Sequence, residues 1–539
     1  MSRSSDLDAL RARWYELGFY GSRTLSEEML RGAADHPDTE MVFHGDERPA
    51  HARLDDLLDQ SLRLATGLRR LGFEPGDVIA IQVPNWLEGA VTYPAAMHLG
   101  LTIVPIIHIY GPAEVGFILR QSGAKGLVVP ERWRSIDFVE RVRAIADTPA
   151  LEHVIVVTDG PAPIGTRWAD LLAAERAEPY HGDPDDVALL VYTSGTTAEP
   201  KGVQHTHNTL LAEIRSLEQF LYAGERSVNL GAFPAGHIAG VLSLLRMFVF
   251  GTTTILLDQW NPADAARLVE QHHVTATAGA PIFLRTLLDQ AAALGTDLSS
   301  LRNYMVGGAS VPPSLVAEAD ERGIVVYRGY GSSEHPVIST GTPADPVDKR
   351  AGTDGRLTPG NEIRLVDDDG NDVAPGADGE IAVRGPEQFI GYRNAELDAA
   401  AFLPGGWFLT GDIGRVDDEG YLTITDRKKD IIIRGGENIA SKEVEDLLAR
   451  MPQVVEAAVV GMPDDHYGER VCAFLLVRDG AAVTLADVQR HFAEAGVARQ
   501  KTPERLVITA ELPRSMSGKV KKFELRDGLR DADQSATGS

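Results

Sequence analysis

The sequence predicts an α/β protein: a large N-terminal domain of parallel-sheet α/β subdomains plus a β-rich subdomain, followed by a small α+β C-terminal domain. Three observations predict it. Apolar stretches at helical spacing, closed by glycine and followed by a short apolar strand, recur along the first 350 or so residues, the pattern of a parallel sheet with crossover helices. From about Gly352 the pattern gives way to short strands separated by turns such as Asp369–Gly370. A charge run, Arg427, Lys428, Lys429 and Asp430, falls where the composition shifts again, and divides the chain into residues 1–426 and 427–539. A chain of 539 residues is also too long for one hydrophobic core.

Residues 1–50 read as irregular and charged, apart from a helix near 25–34. Residues 54–71 place Leu57, Leu58, Leu62, Leu64, Ala65, Leu68 and Leu71 at helical spacing; Gly72 caps the helix and Pro75-Gly76-Asp77 turns the chain into a strand at 78–83. The unit repeats as helix 87–99 and strand 102–107, then helix 113–122 and strand 126–129. A buried strand follows at 187–191. Helices are predicted at 209–220, 261–272 (Pro262 in its first turn), 281–293 and 312–322, and strands at 227–233, 274–278, 304–306 and 324–327. The apolar stretch 238–257 contains Arg246, Gly251 and three threonines, and reads as a buried helix, a turn and a strand, with no membrane span. The β-rich part carries strands 362–366, 379–384 and 421–425. The last unit carries helices 441–451 and 485–495 and strands 454–460 and 471–477, and the polar end, 530–539, is predicted to be disordered.

Composition narrows the function. A net charge of −26 disfavours nucleic acid and anionic membranes as partners, so an anionic ligand would need local positive charge and backbone dipoles. The single cysteine, Cys472, lies in an apolar segment and reads as a core thiol; one cysteine excludes an internal disulfide and a cysteine metal cluster and fits a cytoplasmic location. No cluster has transition-metal spacing.

The chemistry starts at YTSGTTAEPKG, residues 192–202. Thr193, Ser194, Gly195, Thr196 and Thr197 directly follow a buried strand; such a run can turn its N–H groups and hydroxyls toward one anion, and Pro200 and Lys201 add a rigid exit and a positive charge. The spacing is not that of the Walker loop. A flexible Ser/Thr/Gly linker fits poorly, because linkers rarely follow a buried strand and end in Pro-Lys-Gly. Similar small-residue stretches recur: GGAS (307–310), GYGSSE (329–334), GWFLTGD (406–412), DRKKDIIIRGGENI (426–439) and PRSMSGK (513–519).

In this order, these stretches resemble the adenylate-forming superfamily of acyl-CoA synthetases, firefly-type luciferases and peptide-synthetase adenylation domains, most closely synthetases acting on fatty, aromatic or alicyclic acids. The resemblance implies ATP-dependent activation of a carboxylate to acyl-AMP and pyrophosphate, then transfer to coenzyme A, with Mg²⁺ accompanying ATP. Thr193, Ser194, Gly195, Thr196, Thr197 and Lys201 would hold the β- and γ-phosphates, and Glu334 would bind Mg²⁺. Ser333, where the family usually has Thr, would reach the α-phosphate. Tyr330 would stack on adenine beside Gly308, Ala309 and Gly331, Asp412 would take the ribose hydroxyls, and Arg427 would add a second ribose or phosphate contact. Lys519 would be the catalytic cation, carried on a mobile C-terminal lid. Lys429 would be its hinge, and Gly435, Gly436 and Glu437 would line the CoA tunnel. Taken singly, Tyr330 could be a core aromatic, Asp412 a helix cap, Glu334 a surface charge and Lys519 a solvated lysine.

His237, in GHIAG, matches a family histidine beside the acyl pocket, with Gly240 and Val241; a lone histidine is more often structural. His205 and His207 read as packing or capping residues. The pocket is expected to draw on 237–241, 280–283, 305–307 and 335–339, apolar stretches with no partner for an ammonium, which favours fatty, aromatic, alicyclic or steroid-type acids. Ala198 and Glu199 depart from the family loop: Ala replaces a glycine and Glu199 places a negative charge near the phosphates, so either the loop is less mobile than usual or Glu199 points to solvent. An acyl-AMP ligase loading a separate carrier protein, an oxidative luciferase and an inactive nucleotide-binding relative are the alternatives. Oligomeric state is not legible.

Overall fold

The computed structural model describes residues 3–193, 200–221, 227–309, 311–434, 437–464, 467–495, 499–515 and 518–537. Two large mixed sheets dominate the N-terminal part. Among the described residues the first runs Arg356–Leu357, Ser339–Thr340, Val325–Tyr330, Asn303–Gly307, Ala276–Gly279, Val228–Gly231, Thr253–Leu257, Glu40–His44 and Ala50–Arg53, parallel from Val325–Tyr330 to Glu40–His44 and antiparallel at both edges. The second runs Gly391–Tyr392, Lys201–Thr206, Val187–Thr193, Thr102–Pro105, Val78–Ile81, Gly126–Pro130, His153–Val157 and Thr166–Arg167. Its two antiparallel pairs join Lys201–Thr206 to Val187–Thr193 and to Gly391–Tyr392.

One core serves both sheets. Ile79, Ile103 and Leu189 of the second sheet join Met41, Phe43 and Leu256 of the first in a single apolar cluster, with residues of the helices Leu25–Asp35, Leu54–Arg70, Leu87–His98 and Ile238–Phe250. Local chemistry starts and stops these helices. Thr24 and Glu27 form a reciprocal capping box at the first, and Asn261 Oδ1 accepts from the N–H groups of Ala263 and Asp264 ahead of Pro262–His272. The helix Ile238–Phe250 ends at Gly251 with φ +60°, and the strand Thr253–Leu257 follows, as the apolar stretch predicts.

Two predicted features are overturned. The first 50 residues are not irregular: Arg3–Glu16 is a helix, and Glu40–His44 extends the first sheet as a parallel partner of Thr253–Leu257. The C-terminal end is not disordered through 530–537, because one helix runs Lys522–Thr537. At 192–202, Tyr192 and Thr193 complete one strand and Lys201 opens the next.

The β-rich part is an antiparallel sheet of Glu362–Val366, Gly379–Arg384, Trp407–Val416, Phe402–Leu403 and Leu422–Arg427. The last unit has its own sheet, in which Val454–Asp464 and Gly468–Val477 form a long antiparallel pair and Arg505–Ile508 adds in parallel. Its separate core includes Val444, Leu448, Val459, Val471 and Phe492. Cys472 is fully buried, as its apolar setting predicts.

Candidate active site

Parallel strands point the same way, so their carboxyl ends open on one crevice, the usual ligand site of an open α/β sheet. In the first sheet Gly307 is the register partner of Gly329, Val306 of Gly279, and Ala278 of Gly231. The stretches leaving these ends therefore emerge side by side: Tyr330–Glu334, Gly308–Ala309, Ala280–Phe283 and Ala232–His237. Close backbone approach selects glycine here. A Cβ on Gly307 would lie 2.5 Å from the Gly329 carbonyl oxygen, and one on Gly331 would lie 2.0 Å from that of Pro336. The turn after Tyr330 folds back on itself, with Ser332 N–H donating to the His335 carbonyl and Ile338 N–H to that of Tyr330.

At this crevice Asp412 meets Tyr330 and Arg427, two further residues that the sequence singles out. Its carboxylate is 6% exposed. Oδ2 accepts the Tyr330 hydroxyl at 2.8 Å, and Oδ1 lies 3.1 Å from Arg427 Nε. Asp412 and Arg427 are direct cross-strand partners, and Gly411, at φ +73°, lets the chain turn just before Asp412. Burial and the Asp412 charge push the Tyr330 hydroxyl well above its ordinary value, so it donates and stays neutral.

The last unit contributes Lys519. Arg514 and Val520 pair across its loop, and Gly518 sits so close to Ala280 and Ile282 that an added Cβ would be 3.2 and 3.0 Å from their side chains. The Lys519 amine is pushed down to about 7, first by burial and then by Arg427 and Lys429, with Asp412 and Asp430 opposing. Arg427, Lys429 and the depressed Lys519 amine, gathered around the two carboxylates, make a site that gains from an incoming anion.

A second group lies where Thr193 and Lys201 bound the stretch 194–200. Thr193 and Lys201 are register partners, which brackets the loop between two paired strands; Ser194, Gly195, Thr196, Thr197, Ala198 and Glu199 lie outside the described residues. The Lys201 amine is 5.2 Å from the Tyr392 ring centroid, and the Tyr392 hydroxyl donates to Glu334 Oε1 at 2.8 Å. Ser333 is held through its carbonyl, 2.7 Å from His205 Nε2. His205 and His207 are buried, with burial pushing each ring down to about 4, which fits a packing role. Sequence reasoning missed Tyr392. Only the register of Gly391–Tyr392 against Lys201–Thr206 brings it beside Glu334, a contact between segments far apart in the chain.

On the acid side, His237 caps the helix Ile238–Phe250 and stacks on Phe233, with centroids 5.9 Å apart and planes at 20°. Burial pushes its ring down to about 4, so it is neutral. Phe233 continues to Phe283 at 6.0 Å, and Phe283 stacks on Trp260 at 4.6 Å. Gly240 sits where a Cβ would be 2.0 Å from the Pro234 carbonyl oxygen, and Val241 is sequestered in the main core. Leu217, Met305 and Val337 pack as a small separate cluster.

Lys429 lies between the two parts. Gly435 and Gly436 are outside the described residues, between strands in which Arg434 and Glu437 are register partners. Among the described residues no group of three or more His, Cys, Asp or Glu is placed to hold a metal, and no helix is long and apolar enough to cross a membrane.

A carboxylate gripping a tyrosine and an arginine at the strand ends, with a depressed lysine from a separate small unit, makes a site suited to an anionic ligand. The chain matches the AMP-binding enzyme family over residues 30–393 and the AMP-binding enzyme C-terminal domain over residues 443–519, and it belongs to that adenylate-forming family. It is 35% identical over 532 residues to a medium-chain fatty-acid–CoA ligase of Escherichia coli K12, covering 96% of this chain and 93% of that protein. It is 34% identical over 523 residues to a salicyl-AMP ligase/salicyl-S-ArCP synthetase of Mycobacterium tuberculosis H37Rv, covering 95% and 92%. Among solved structures, the o-succinylbenzoate CoA synthetase of Bacillus subtilis with its acyl-adenylate intermediate aligns with a TM-score of 0.80 at 28% identity, over 93% of this chain and 98% of that one. The protein is an AMP-forming acid–thiol ligase.

Proposed function

We propose that the protein is a carboxylic acid–CoA ligase that forms acyl-AMP and pyrophosphate from ATP, then transfers the acyl group to coenzyme A. Residues 1–426 act as the adenylating domain, whose last strand runs one residue past that boundary to Arg427, and the remainder acts as the lid that brings Lys519. The observation that carries this reading is the placement of Lys519 with Arg427, Lys429 and Asp412 at the carboxyl ends of the strands. The first step brings a carboxylate to a polyphosphate and pushes negative charge onto the leaving pyrophosphate; fixed cations aimed at that charge lower the barrier.

Each residue then has a task. The Asp412 oxygens, each with one partner, keep capacity to accept the two ribose hydroxyls. Tyr330 presents its ring to adenine beside Gly308, Ala309 and Gly331. Thr193 and Lys201, at the loop neck, approach the β- and γ-phosphates with Ser194, Gly195, Thr196 and Thr197, and Ser333 approaches the α-phosphate. Glu334 fits Mg²⁺, which binds through one or two carboxylates plus substrate phosphates; the ion would neutralise phosphate charge there. Gly435, Gly436 and Glu437 line the thiol's path once the lid has turned about Lys429.

The acid is fatty, aromatic, alicyclic or steroid-type. The apolar row of Phe233, neutral His237 and Phe283 supports it, as do relatives named for a medium-chain fatty acid and for salicylate. The relative named as loading a carrier protein supports a second reading, in which the thiol belongs to a separate carrier. Pyrophosphate release across a panel of acids, with and without CoA, tests both. Acid-dependent release with AMP turnover accelerated by free CoA is expected. AMP release indifferent to CoA would favour the carrier, and no acid-dependent release would contradict the ligase reading.

A further inference from the structure

Strand Leu422–Arg427 belongs to the large part, yet it ends as a two-faced junction. Successive side chains on a strand point to opposite faces. Arg427 turns to Asp412 and the nucleotide site, while Asp426 turns into the small unit. There, Asp426 accepts the Ser441 backbone N–H at the start of the helix Ser441–Leu448, and its other oxygen accepts the Ser441 hydroxyl at 3.0 Å. The Ser441 hydroxyl in turn accepts from Lys522 Nζ at 2.7 Å, and Lys522 also pairs with Glu445 Oε1 at 2.7 Å. Asp430 holds Arg526 at 2.9 Å. Asp426 and Ser441 are 5% and 0% exposed. The chain Lys522–Ser441–Asp426 therefore crosses the boundary between the units, three residues after Lys519.

We propose that Asp426 is a positioning residue: with Ser441 and Lys522 it locks the small unit onto the large one in the arrangement that delivers Lys519 to Asp412. Buried carboxylates hold their donors strongly because an unpaired charge there is costly. Anchoring Lys522 at the boundary fixes the start of the last helix, and so fixes the short loop that carries Lys519. On the other side, Lys428 is tied to Glu380 at 2.8 Å and, through its N–H, to the Gly411 carbonyl. The lock is thus flanked by anchors to both units, and Lys429 is the residue left between them. This inference rests on the ligase reading for its kinetic consequence but not for its geometry.

The test uses the full chain, with octanoate and salicylate as probe acids. Asp426→Asn keeps size but removes the charge. Acid-dependent pyrophosphate release should fall about tenfold in kcat with little change in KM for ATP, whereas AMP release from supplied octanoyl-AMP and CoA changes about twofold or less. Ser441→Ala, which keeps the backbone donor, should fall between, and Lys522→Arg should retain most adenylation. A substrate-free readout runs beside the kinetics: acetic anhydride should label Lys519 faster in Asp426→Asn, while amide exchange in strands Val454–Asp464 and Gly468–Val477 stays slow. Unchanged pyrophosphate release with unchanged labelling would overturn the lock. So would equal loss of both half-reactions with loss of protection in those strands, which would make Asp426 merely structural. A wild-type protein inactive with every acid would sink the ligase reading alone, and the labelling would still judge the lock.

Discussion

Lys519 carries its amine at about 7 because it is enclosed among Arg427 and Lys429 with only Asp412 and Asp430 to offset them. At pH 8 most of it is neutral in the free protein. Bringing phosphates beside it raises its affinity for a proton, so ATP binding at pH 8 should take up a proton, measurable as a dependence of binding heat on buffer ionisation. Lys519→Met should abolish most of that uptake; full uptake in the variant would assign the proton elsewhere. Tyr392 bears on the proposed metal ligand, Glu334. Its hydroxyl orients Glu334, so Tyr392→Phe should raise the Mg²⁺ concentration for half-maximal activity by about tenfold while leaving the fold intact. An unchanged Mg²⁺ dependence would separate Glu334 from the metal.

At the scale of elements, the anchored junction predicts a division of labour. Lys429→Pro stiffens the one residue between Lys428, held by Glu380, and Asp430, held by Arg526. Pyrophosphate release should persist, and thioester formation should fall by about tenfold or more; equal damage to both steps would remove the hinge. Most elements were legible because their patterns are local. Helix 54–71 with Gly72, the stretch 238–257 and strands 362–366 and 379–384 follow from periodicity and turn residues, and the structure places all four. The misses depend on distant partners. Glu40–His44 is a strand because Thr253–Leu257 lies beside it, and Lys201–Thr206 is one because it pairs with Val187–Thr193 on one side and Gly391–Tyr392 on the other. The site divides the same way. Tyr330, Asp412, Arg427 and Lys519 lie in or beside small-residue stretches that a sequence displays. Tyr392 and Asp426 owe their places to register and strand alternation, which a single sequence does not show.

Across the whole molecule, the charge of −26 and the cationic site belong together. Excess acid elsewhere does not disfavour ATP if, as proposed, Lys201, Arg427 and Lys519 face its phosphates at short range, since distant charges are screened in salt. Two sheets sharing one core give a rigid floor, and a separately cored small unit brings the lysine to it. Adenylation as proposed depends on that delivery. Its most direct test is single-turnover pyrophosphate release by the wild type and Lys519→Ala, each with ATP and an accepted acid, beside thiol transfer from supplied acyl-AMP. The wild type should perform both. The variant should lose pyrophosphate release by about a hundredfold or more and keep transfer largely intact. Normal pyrophosphate release by Lys519→Ala would contradict the central claim.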